Sequence, residues 1–233
     1  QGKTCIVVQD GPGFYANRIL APYLNEVMLM LEEGAQIEAL DQAMKKKGMP
    51  VGPIALMDEV GIDVGAHVMS GDIADVVKSR EGLVVSKGLL KMFQAGYLGK
   101  KNKKGYYKYD GKNGKRNGAN PHAYQFFGNP PKIELAFEEM TWRPLLLMIN
   151  EAVMCLEEGI LSTPTDGDLG AVFGLGFLPF TGGPFRFADA YGISELVKLM
   201  EEYAKKFGPK FNPRPLLASM AENNQLFHSK NCD

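Results

Sequence analysis

A ten-residue segment occurs twice in this chain, and this repeat restricts the possible folds more than any other feature. Residues 25–34 read NEVMLMLEEG and residues 150–159 read NEAVMCLEEG, so both copies begin with Asn-Glu and end with Leu-Glu-Glu-Gly. A second match follows each copy, with Gly-Pro, Asp and Gly in the same order and at the same spacing (52–61 and 183–192). The period is too long for a solenoid, so the sequence predicts a duplicated helical unit with one copy in each half.

The length, charge and cysteine content of the chain argue against several classes of protein. The 233 residues suit two domains of about 100 residues each. A net charge of −1 gives no overall field that would favour nucleic acid or an anionic membrane. The three cysteines form no Cys-x-x-Cys pair, so neither a disulfide framework nor a zinc site is predicted. No run of about 18 apolar residues occurs, so no transmembrane segment is expected.

Hydrophobic periodicity predicts a mainly helical chain. Leu20, Leu24, Val27 and Leu31 form one apolar stripe, and Gly34 supplies a C-terminal cap. Helices are predicted over residues 16–33, 41–47, 54–60, 63–78, 86–95 and 193–206, and one short strand over residues 4–9. Residues 110–132 have the composition of a linker, and residues 170–187 are predicted to form a long glycine- and phenylalanine-rich loop.

The segment Gly11–Ala16 follows the predicted strand with the spacing G-x-G-x-x-A, which resembles a dinucleotide-binding turn. That fingerprint needs a second strand ending in an acidic residue about 20 residues later, and here this distance falls inside the predicted first helix. Pro12 also removes a backbone N–H that a phosphate would need. We therefore favour a Gly/Pro corner between strand and helix.

Asn17 stands at the start of the predicted first helix. Its amide can hydrogen-bond a substrate or a catalytic imidazole, but the position also suits a helix N-cap, and spacing alone favours the cap. The repeat adds a second observation, because Asn17-Arg18 becomes Trp142-Arg143 in the second copy. If the amide takes part in chemistry, only the first copy does so.

A basic and aromatic segment, GKKNKKGYYKY, occupies residues 99–109. Lysines interleaved with tyrosines can bind nucleic acid or a cofactor phosphate. On a chain of balanced charge, contacts to a nucleotide-type ligand or a plain solvated loop are the favoured interpretations. His67, His122 and His228 share no cluster with each other or with cysteine, so no metal site is predicted.

Several runs taken together resemble a known family. DGPGFYANRILAPYLNEV, GMPVGPIALMDEVGID and GKKNKKGYYKY, in that order, are similar to the C-terminal domain of L-3-hydroxyacyl-CoA dehydrogenases. The second half adds NEAVMCLEEGIL and GLGFLPFTGGPFRFADAYG. This duplicated arrangement resembles the multifunctional fatty-acid oxidation enzymes, most closely those of the mitochondrial trifunctional type. The resemblance covers nearly the whole chain.

The resemblance implies a particular domain organisation. Two duplicated all-α domains would follow a Rossmann NAD domain, which itself would follow an enoyl-CoA hydratase domain. Residues 1–10 would then be a remnant of the NAD domain, with a first helical domain at 11–109, a linker at 110–132 and a second, degenerate helical domain at 133–233. The glycine fingerprint and the catalytic histidine with its glutamate partner have no match in this chain, which begins at Gln1 rather than Met. We therefore expect it to be part of a longer protein.

The resemblance also implies site residues. Asn17 matches the one catalytic residue present, and it would orient the hydroxyl or incipient ketone of a 3-hydroxyacyl-CoA during hydride transfer to NAD. Lys101 matches a lysine that approaches NAD. The segment expected near the acyl chain, and so to bind substrate, comprises Met49, Pro50, Val51, Gly52, Pro53 and Ile54. A thiolase β subunit is the expected protein partner, and no nucleic acid is expected.

Two other functions are also compatible with the sequence, and its C-terminal residues bear on the cellular location. A non-catalytic helical docking or dimerisation module would tolerate Asn17→Ala without loss of turnover in a longer protein. A nucleic-acid binder using residues 100–109 would bind with a steep salt dependence. The chain ends in Ser-Lys-Asn-Cys-Asp rather than the Ser-Lys-Leu type of peroxisomal signal, so a mitochondrial location is expected over a peroxisomal one.

We predict that this chain alone neither binds NAD tightly nor oxidises a 3-hydroxyacyl-CoA. The reason is that the turn Gly11–Ala16 lacks the second strand with an acidic end that a dinucleotide-binding site needs. Calorimetric titration with NAD measures the affinity. A dissociation constant in the micromolar range would contradict the prediction and would mean that the turn Gly11–Ala16 binds dinucleotide after all.

Overall fold

The computed structural model describes residues 2, 4–110 and 114–228. It is mainly helical, as the sequence predicts. The α-helices are α1 (Ala16–Glu33), α2 (Ile37–Lys47), α3 (Pro53–Val60), α4 (Ile62–Val68), α5 (Asp72–Lys78), α6 (Gly88–Gln94), α7 (Phe137–Glu157), α8 (Pro164–Leu175), α9 (Pro184–Tyr191), α10 (Ile193–Phe207) and α11 (Pro215–Glu222). Short 3-10 helices cover Lys100–Asn102, Pro121–Phe127, Pro179–Thr181 and Pro209–Phe211. Strands β1 (Tyr107–Tyr109) and β2 (Arg116–Ala119) pair antiparallel, with Tyr107 opposite Ala119.

The chain divides into two compact units that do not follow the order of the sequence. The first unit contains the described residues of Gln1–Pro22, Arg80–Leu83 and Leu145–Asp233, and the second those of Tyr23–Ser79 and Val84–Pro144. Helices α1 and α7 are each shared between the units. In α1 the boundary between the units falls directly after Pro22, and in α7 directly after Pro144. Proline has no backbone N–H, so each helix lacks one hydrogen-bond donor at this point.

The two repeated helices are buried on nearly all sides. Every residue from 141 to 155 in α7 is buried. In α1, Tyr23 and Met30 are as inaccessible as Val27 and Leu31, whereas Leu24 is only partly buried. The prediction of a single apolar stripe is therefore wrong. Both helices also bury polar and charged side chains, among them Arg18, Glu26 and Arg143, so their burial is not confined to one apolar face.

The repeat extends to the polar side chains that hold loops in place. In the second unit, both carboxylate oxygens of Asp58 accept hydrogen bonds from the backbone N–H groups of residues 106 and 107, at 3.0 and 2.9 Å. In the first unit, Asp189 accepts from the N–H groups of residues 227 and 228 in the same way, at 2.8 and 2.9 Å. Each carboxylate satisfies two consecutive N–H groups of a segment far away in sequence.

The asparagines of the repeated segments act as a second pair of anchors. The side-chain amide of Asn25 donates to the carbonyl of Val84 and accepts from the N–H of Ser86, at 2.8 and 2.9 Å. Asn150 makes the same two hydrogen bonds to residues 212 and 214, at 2.8 and 3.0 Å. The duplication inferred from sequence is thus a duplication of three-dimensional contacts.

Several predicted elements differ from the structure. Residues 4–9 form no strand, and Val8 makes only an isolated bridge to Leu161. The predicted helix over 63–78 is two helices, α4 and α5. They are separated around Gly71, where the Ser70 hydroxyl donates to the carbonyl of Ala66 in the preceding turn. Residues 170–187, predicted as a loop, fold largely into α8 and α9.

The predicted linker is folded where the structure describes it. Residues 114–132 include β2 and the 3-10 helix Pro121–Phe127, whose Tyr124 and Phe127 belong to the core of the second unit. The Tyr124 hydroxyl accepts a hydrogen bond from the N–H of Ile37 at 3.0 Å. Residues 111–113 lie outside the described part of the chain. The boundaries predicted for the two helical domains stay a prediction.

Among the described residues, no helix is both long enough and apolar enough to cross a membrane.

We predict that Asp58→Ala lowers the free energy of unfolding by roughly 2–4 kcal/mol, because two buried N–H groups lose their acceptor. Urea denaturation at neutral pH measures the change. Glu59→Ala is the matched control on the same helix, and its exposed pair with Lys100 (3.7 Å) should contribute less than about 1 kcal/mol. Equal effects of the two substitutions would contradict the assignment of Asp58 as an anchor.

Candidate functional site

Asn17 lies one residue inside the first turn of α1, since the helix begins at Ala16. The interpretation as an N-cap is therefore wrong. Before the helix the chain turns through Gly13 and Phe14, both with positive φ, and the N–H of Phe14 donates to the carbonyl of Gly11 at 2.9 Å. The Asn17 side chain is exposed, so its amide is open to a ligand.

The residue after Asn17 is held by buried charges in the first unit. Arg18 donates from Nε to Oε1 of Glu151 at 2.8 Å and from Nη2 to Oε2 of Glu158 at 2.5 Å. Arg80 adds two hydrogen bonds to Glu151, at 2.8 and 3.1 Å. Burial lowers the pKa of Arg18, but the hydrogen bonds to Glu151 and Glu158 outweigh it and the net shift is upward. The arginine therefore stays charged and fixed.

The second copy keeps the arginine and loses the amide. In the second unit Arg143 donates to Glu26 at 2.8 Å and makes a two-pronged contact with Glu33 at 2.6 and 2.7 Å. Trp142, the counterpart of Asn17, is only 7% exposed. The ammonium of Lys47 lies 3.9 Å from the centre of its ring, a cation–π contact. A buried indole under a lysine cannot present a polar group to a substrate, so the two copies differ at this position.

The candidate substrate segment is shaped by a buried carboxylate. Asp41 accepts from the N–H groups of residues 54 and 55, at 2.8 and 3.0 Å, and from the hydroxyl of Tyr107 at 2.7 Å. A Cβ on Gly52 would lie 2.3 Å from Cγ of Asp41, so only glycine allows this approach. Burial raises the pKa of Asp41, and these hydrogen bonds act in the opposite direction.

Only the tip of that segment is open to a ligand. Pro50 and Val51 are exposed, whereas Met49 and residues 52–54 are buried. Of the six residues predicted to contact substrate, two therefore offer a surface and four support them.

Lys101 lies at the surface of the second unit, in the 3-10 helix Lys100–Asn102. Its ammonium is 2.5 Å from Oδ1 of Asp63. The side chain of Asn102 fixes the loop by accepting from the N–H groups of residues 98 and 104 and donating to the carbonyl of Gly96, at 3.1, 3.2 and 2.8 Å. The hydrogen bond from Lys101 lowers the pKa of Asp63. The lysine is thus rigidly presented but already has an acidic neighbour.

A family model matches both halves of the chain. The model for the C-terminal domain of 3-hydroxyacyl-CoA dehydrogenase covers residues 13–109 and 140–231. The chain belongs to this family. The two matched stretches contain the two copies of the repeated helix, so the duplication is a duplication of the family's domain.

Curated relatives of the chain are longer bacterial proteins. It is 45% identical over 231 residues, 98% of its length, to the fatty acid oxidation complex subunit alpha of Shewanella halifaxensis. It is 44% identical over 229 residues to the protein of the same name from Shewanella baltica. The chain spans about a third of the length of these relatives (32%). Since the relatives are bacterial, the prediction of a mitochondrial location is wrong.

Two solved structures share the fold of this dehydrogenase domain chain. A 3-hydroxybutyryl-CoA dehydrogenase from Escherichia coli aligns with a TM-score of 0.76 and 21% identity, over 95% of this chain and 62% of its own. The dehydrogenase part of multifunctional enzyme 1 from Caenorhabditis elegans aligns with a TM-score of 0.68 and 23% identity, over 92% and 49%. At these identities the likeness concerns the fold.

The described residues do not form a dinucleotide cradle by themselves. Among the residues described before the turn Gly11–Ala16 there is no strand, and a Cβ on Gly11 would lie 2.9 Å from Cδ1 of Ile160. The turn therefore lies against an aliphatic side chain and leaves little room for a pyrophosphate.

The predicted site residues are distributed over both units. Asn17 belongs to the first unit, while Lys101 and residues 49–54 belong to the second. Sequence reasoning missed the anchors Arg18, Asp41 and Asp58. The signal that could have found them was present, because each has a counterpart of the same type in the second half.

The histidines supply no second catalytic candidate. His67 and His122 are exposed. His228 places Nε2 at 2.8 Å from Oδ2 of Asp168, and this contact corresponds to the one between Tyr107 and Asp41 in the second unit, so it is part of the repeated scaffold. No group of three or more metal-binding side chains occurs in the residues that the structure describes.

We predict that Lys101→Ala raises the pKa of Asp63 toward the ordinary aspartate value of 3.8, because the hydrogen bond to the ammonium is lost. Since the pair depresses this pKa, its small contribution to stability is present at neutral pH and is lost as the pH falls through the folded-state pKa. Carbon-detected NMR titration of the Asp63 carboxyl measures the shift. Lys108→Ala, which removes an exposed charge elsewhere in the segment, is the control. An unchanged titration in Lys101→Ala would show that the pair does not persist in solution.

Proposed function

We propose that this chain is the helical, substrate-side part of an L-3-hydroxyacyl-CoA dehydrogenase of the fatty acid oxidation complex α-subunit type. The observation that carries the proposal is the contrast between the two copies of the family domain. Asn17 is exposed on the first turn of a fixed helix, whereas Trp142 is buried at the equivalent place. The 45% identity over 98% of the chain to the Shewanella subunit supports the same assignment.

The proposed role of Asn17 is to orient the oxygen at C3 of a 3-hydroxyacyl-CoA. Its amide accepts the hydrogen bond of the hydroxyl or donates to the oxygen as that oxygen becomes a carbonyl. The oxidation removes a hydride from C3 and a proton from the hydroxyl, and the hydride acceptor proposed is NAD. An orienting hydrogen bond of this kind contributes to rate through alignment of the reacting groups. No base for the hydroxyl proton is assigned to this chain.

Two further contacts are proposed for residues of the second unit, one to the acyl chain and one to NAD. Pro50 and Val51 provide a small apolar tip for the acyl chain, held in shape by Asp41. Lys101 provides one positive charge toward NAD, in competition with its contact to Asp63. The rest of a cofactor site would come from a separate dinucleotide-binding domain.

The longer protein is proposed to be multifunctional. The relatives are named as subunits of a fatty acid oxidation complex, which supports a larger, multi-domain parent. That the parent also carries enoyl-CoA hydratase activity stays a prediction. A thiolase subunit as the protein partner stays a prediction.

A helical docking module is the second candidate. Phe173 and Phe180 are 70% and 76% exposed in the first unit, and exposed aromatic side chains favour contacts with another protein. The two candidates differ in what they require of Asn17.

We predict that Asn17→Ala lowers kcat for 3-hydroxyacyl-CoA oxidation roughly 10- to 100-fold, because one orienting hydrogen bond contributes about 1–3 kcal/mol. The assay follows NADH absorbance. It uses a chimera in which this chain replaces the matching third of the Shewanella halifaxensis subunit. The KM for NAD should change little, because Asn17 is proposed to contact the substrate oxygen rather than the cofactor.

Trp142→Phe is the matched control at the equivalent position, and its kcat should stay within about twofold. An active chimera in which Asn17→Ala turns over at the parental rate would favour the docking module. An inactive chimera that is folded by circular dichroism would argue against the dehydrogenase assignment itself.

A further inference from the structure

We propose that Arg18 and Glu158 are positioning residues for the reaction, which fix the orientation in which the first turn of α1 presents Asn17. This inference rests on the proposed function of Asn17. Neither residue touches a reacting atom. Both act through the amide that follows the Gly/Pro turn.

The first turn of α1 needs such an anchor. It follows a turn in which Gly13 and Phe14 have positive φ, and the Asn17 side chain is exposed, so packing does not fix it. Arg18 is the next residue, and its side chain is 4% exposed. Whatever holds the guanidinium also sets the rotation of the helix and therefore the direction of the neighbouring amide.

The guanidinium is held at two points, one within α7 and one at the residue that directly follows this helix. Glu151 and Glu158 are seven residues apart, which is about two helical turns, and Arg18 contacts one with Nε and the other with Nη2. The planar, rigid fork of arginine converts two such contacts into a defined orientation. Glu151 is also held by Arg80, so it stays in place without Arg18. Glu158 is 39% exposed and completes the second contact.

The duplication separates positioning from general stability. Arg143 likewise contacts Glu26 and Glu33, with Glu33 45% exposed, yet it follows Trp142 rather than an amide. Glu33 accepts two hydrogen bonds from Arg143, whereas Glu158 accepts one from Arg18 and lies 3.9 Å from Arg80. Loss of the charge on Glu33 should therefore weaken its unit at least as much as loss of the charge on Glu158 weakens the other. Only the loss of Glu158 should change the orientation of a group proposed to contact substrate, the amide of Asn17.

The test compares Glu158→Gln with Glu33→Gln in the chimera. Glutamine keeps the size of the side chain and removes the charge, and both positions are partly exposed, so both variants should fold. Glu158→Gln should lower kcat roughly tenfold, because a small misplacement of an orienting group slows the reaction, and should leave the KM for NAD within about twofold. Glu33→Gln should lower the melting temperature at least as much as Glu158→Gln does, while kcat stays within about twofold.

A double substitution tests whether Glu158 acts through Asn17. If it does, adding Glu158→Gln to Asn17→Ala should lower kcat no further, because coupled residues are not additive. Hydrogen exchange on the chain itself gives a readout independent of activity. Exchange of the amide hydrogens of residues 16–21 should accelerate in Glu158→Gln and not in Glu33→Gln.

The outcomes distinguish this inference from the proposed function. If Asn17→Ala slows turnover while Glu158→Gln and Glu33→Gln behave alike, the positioning role is overturned and the proposed function stands. If the effects of Asn17→Ala and Glu158→Gln on kcat multiply, Glu158 acts by another route and the inference is also overturned. If Asn17→Ala has no effect on an active chimera, both are overturned.

Discussion

Arg143 is 1% exposed and Glu26, its most deeply buried partner, is completely inaccessible, so the chain places opposite charges in its interior, between α1 and α7. Transfer of a guanidinium and a carboxylate from water costs several kcal/mol per ion, which their attraction offsets only when geometry and additional hydrogen bonds are good. Glu33 supplies those hydrogen bonds to Arg143, as Glu158 does to Arg18. A buried pair of this kind contributes little net stability when intact, but removing one partner costs about 3–5 kcal/mol. The ion pair therefore favours the one alignment of α1 and α7 in which the buried charges meet.

The duplication shows which contacts the fold needs and which the chemistry needs. Arginine, glutamate, asparagine and aspartate anchors recur in both halves with the same partners, and these are the residues that a helical domain of this family cannot replace without losing a buried hydrogen bond. Two of the positions compared above carry different residues. Asn17 becomes Trp142, and Tyr107 becomes His228 while still contacting an aspartate. The first change removes a polar group from the surface, whereas the second replaces one hydrogen-bonding ring with another and leaves the scaffold unaltered.

Local signals in the sequence predicted the local structure well. The bounds of α1 and the position of α10 follow from hydrophobic periodicity and flanking glycines, because those determinants lie within the helix itself. The interior of residues 114–132 could not be predicted in that way, since Tyr124 becomes a core residue only through contact with Ile37 and its neighbours. The same holds for Glu158 and Glu33. Neighbouring glutamates suggest a solvated face, and nothing local indicates that an arginine more than 100 residues away will reach them. Asn17 was identified by resemblance and by comparison of the repeats, whereas its departure from the cap position required the coordinates.

The division of the chain into units has a consequence for synthesis on the ribosome. The first unit combines residues from the beginning of the chain with residues after 144, so the glutamates that hold Arg18 emerge long after the arginine does. Until then the start of α1 carries a guanidinium without its partners, and the contacts that close this unit have high sequence separation, which slows folding. The second unit lies almost entirely between those segments and can condense first. Only after the second unit has been synthesised do Glu151 and Glu158 emerge and form ion pairs with Arg18. The segment that carries Asn17 is therefore among the last to reach its native environment.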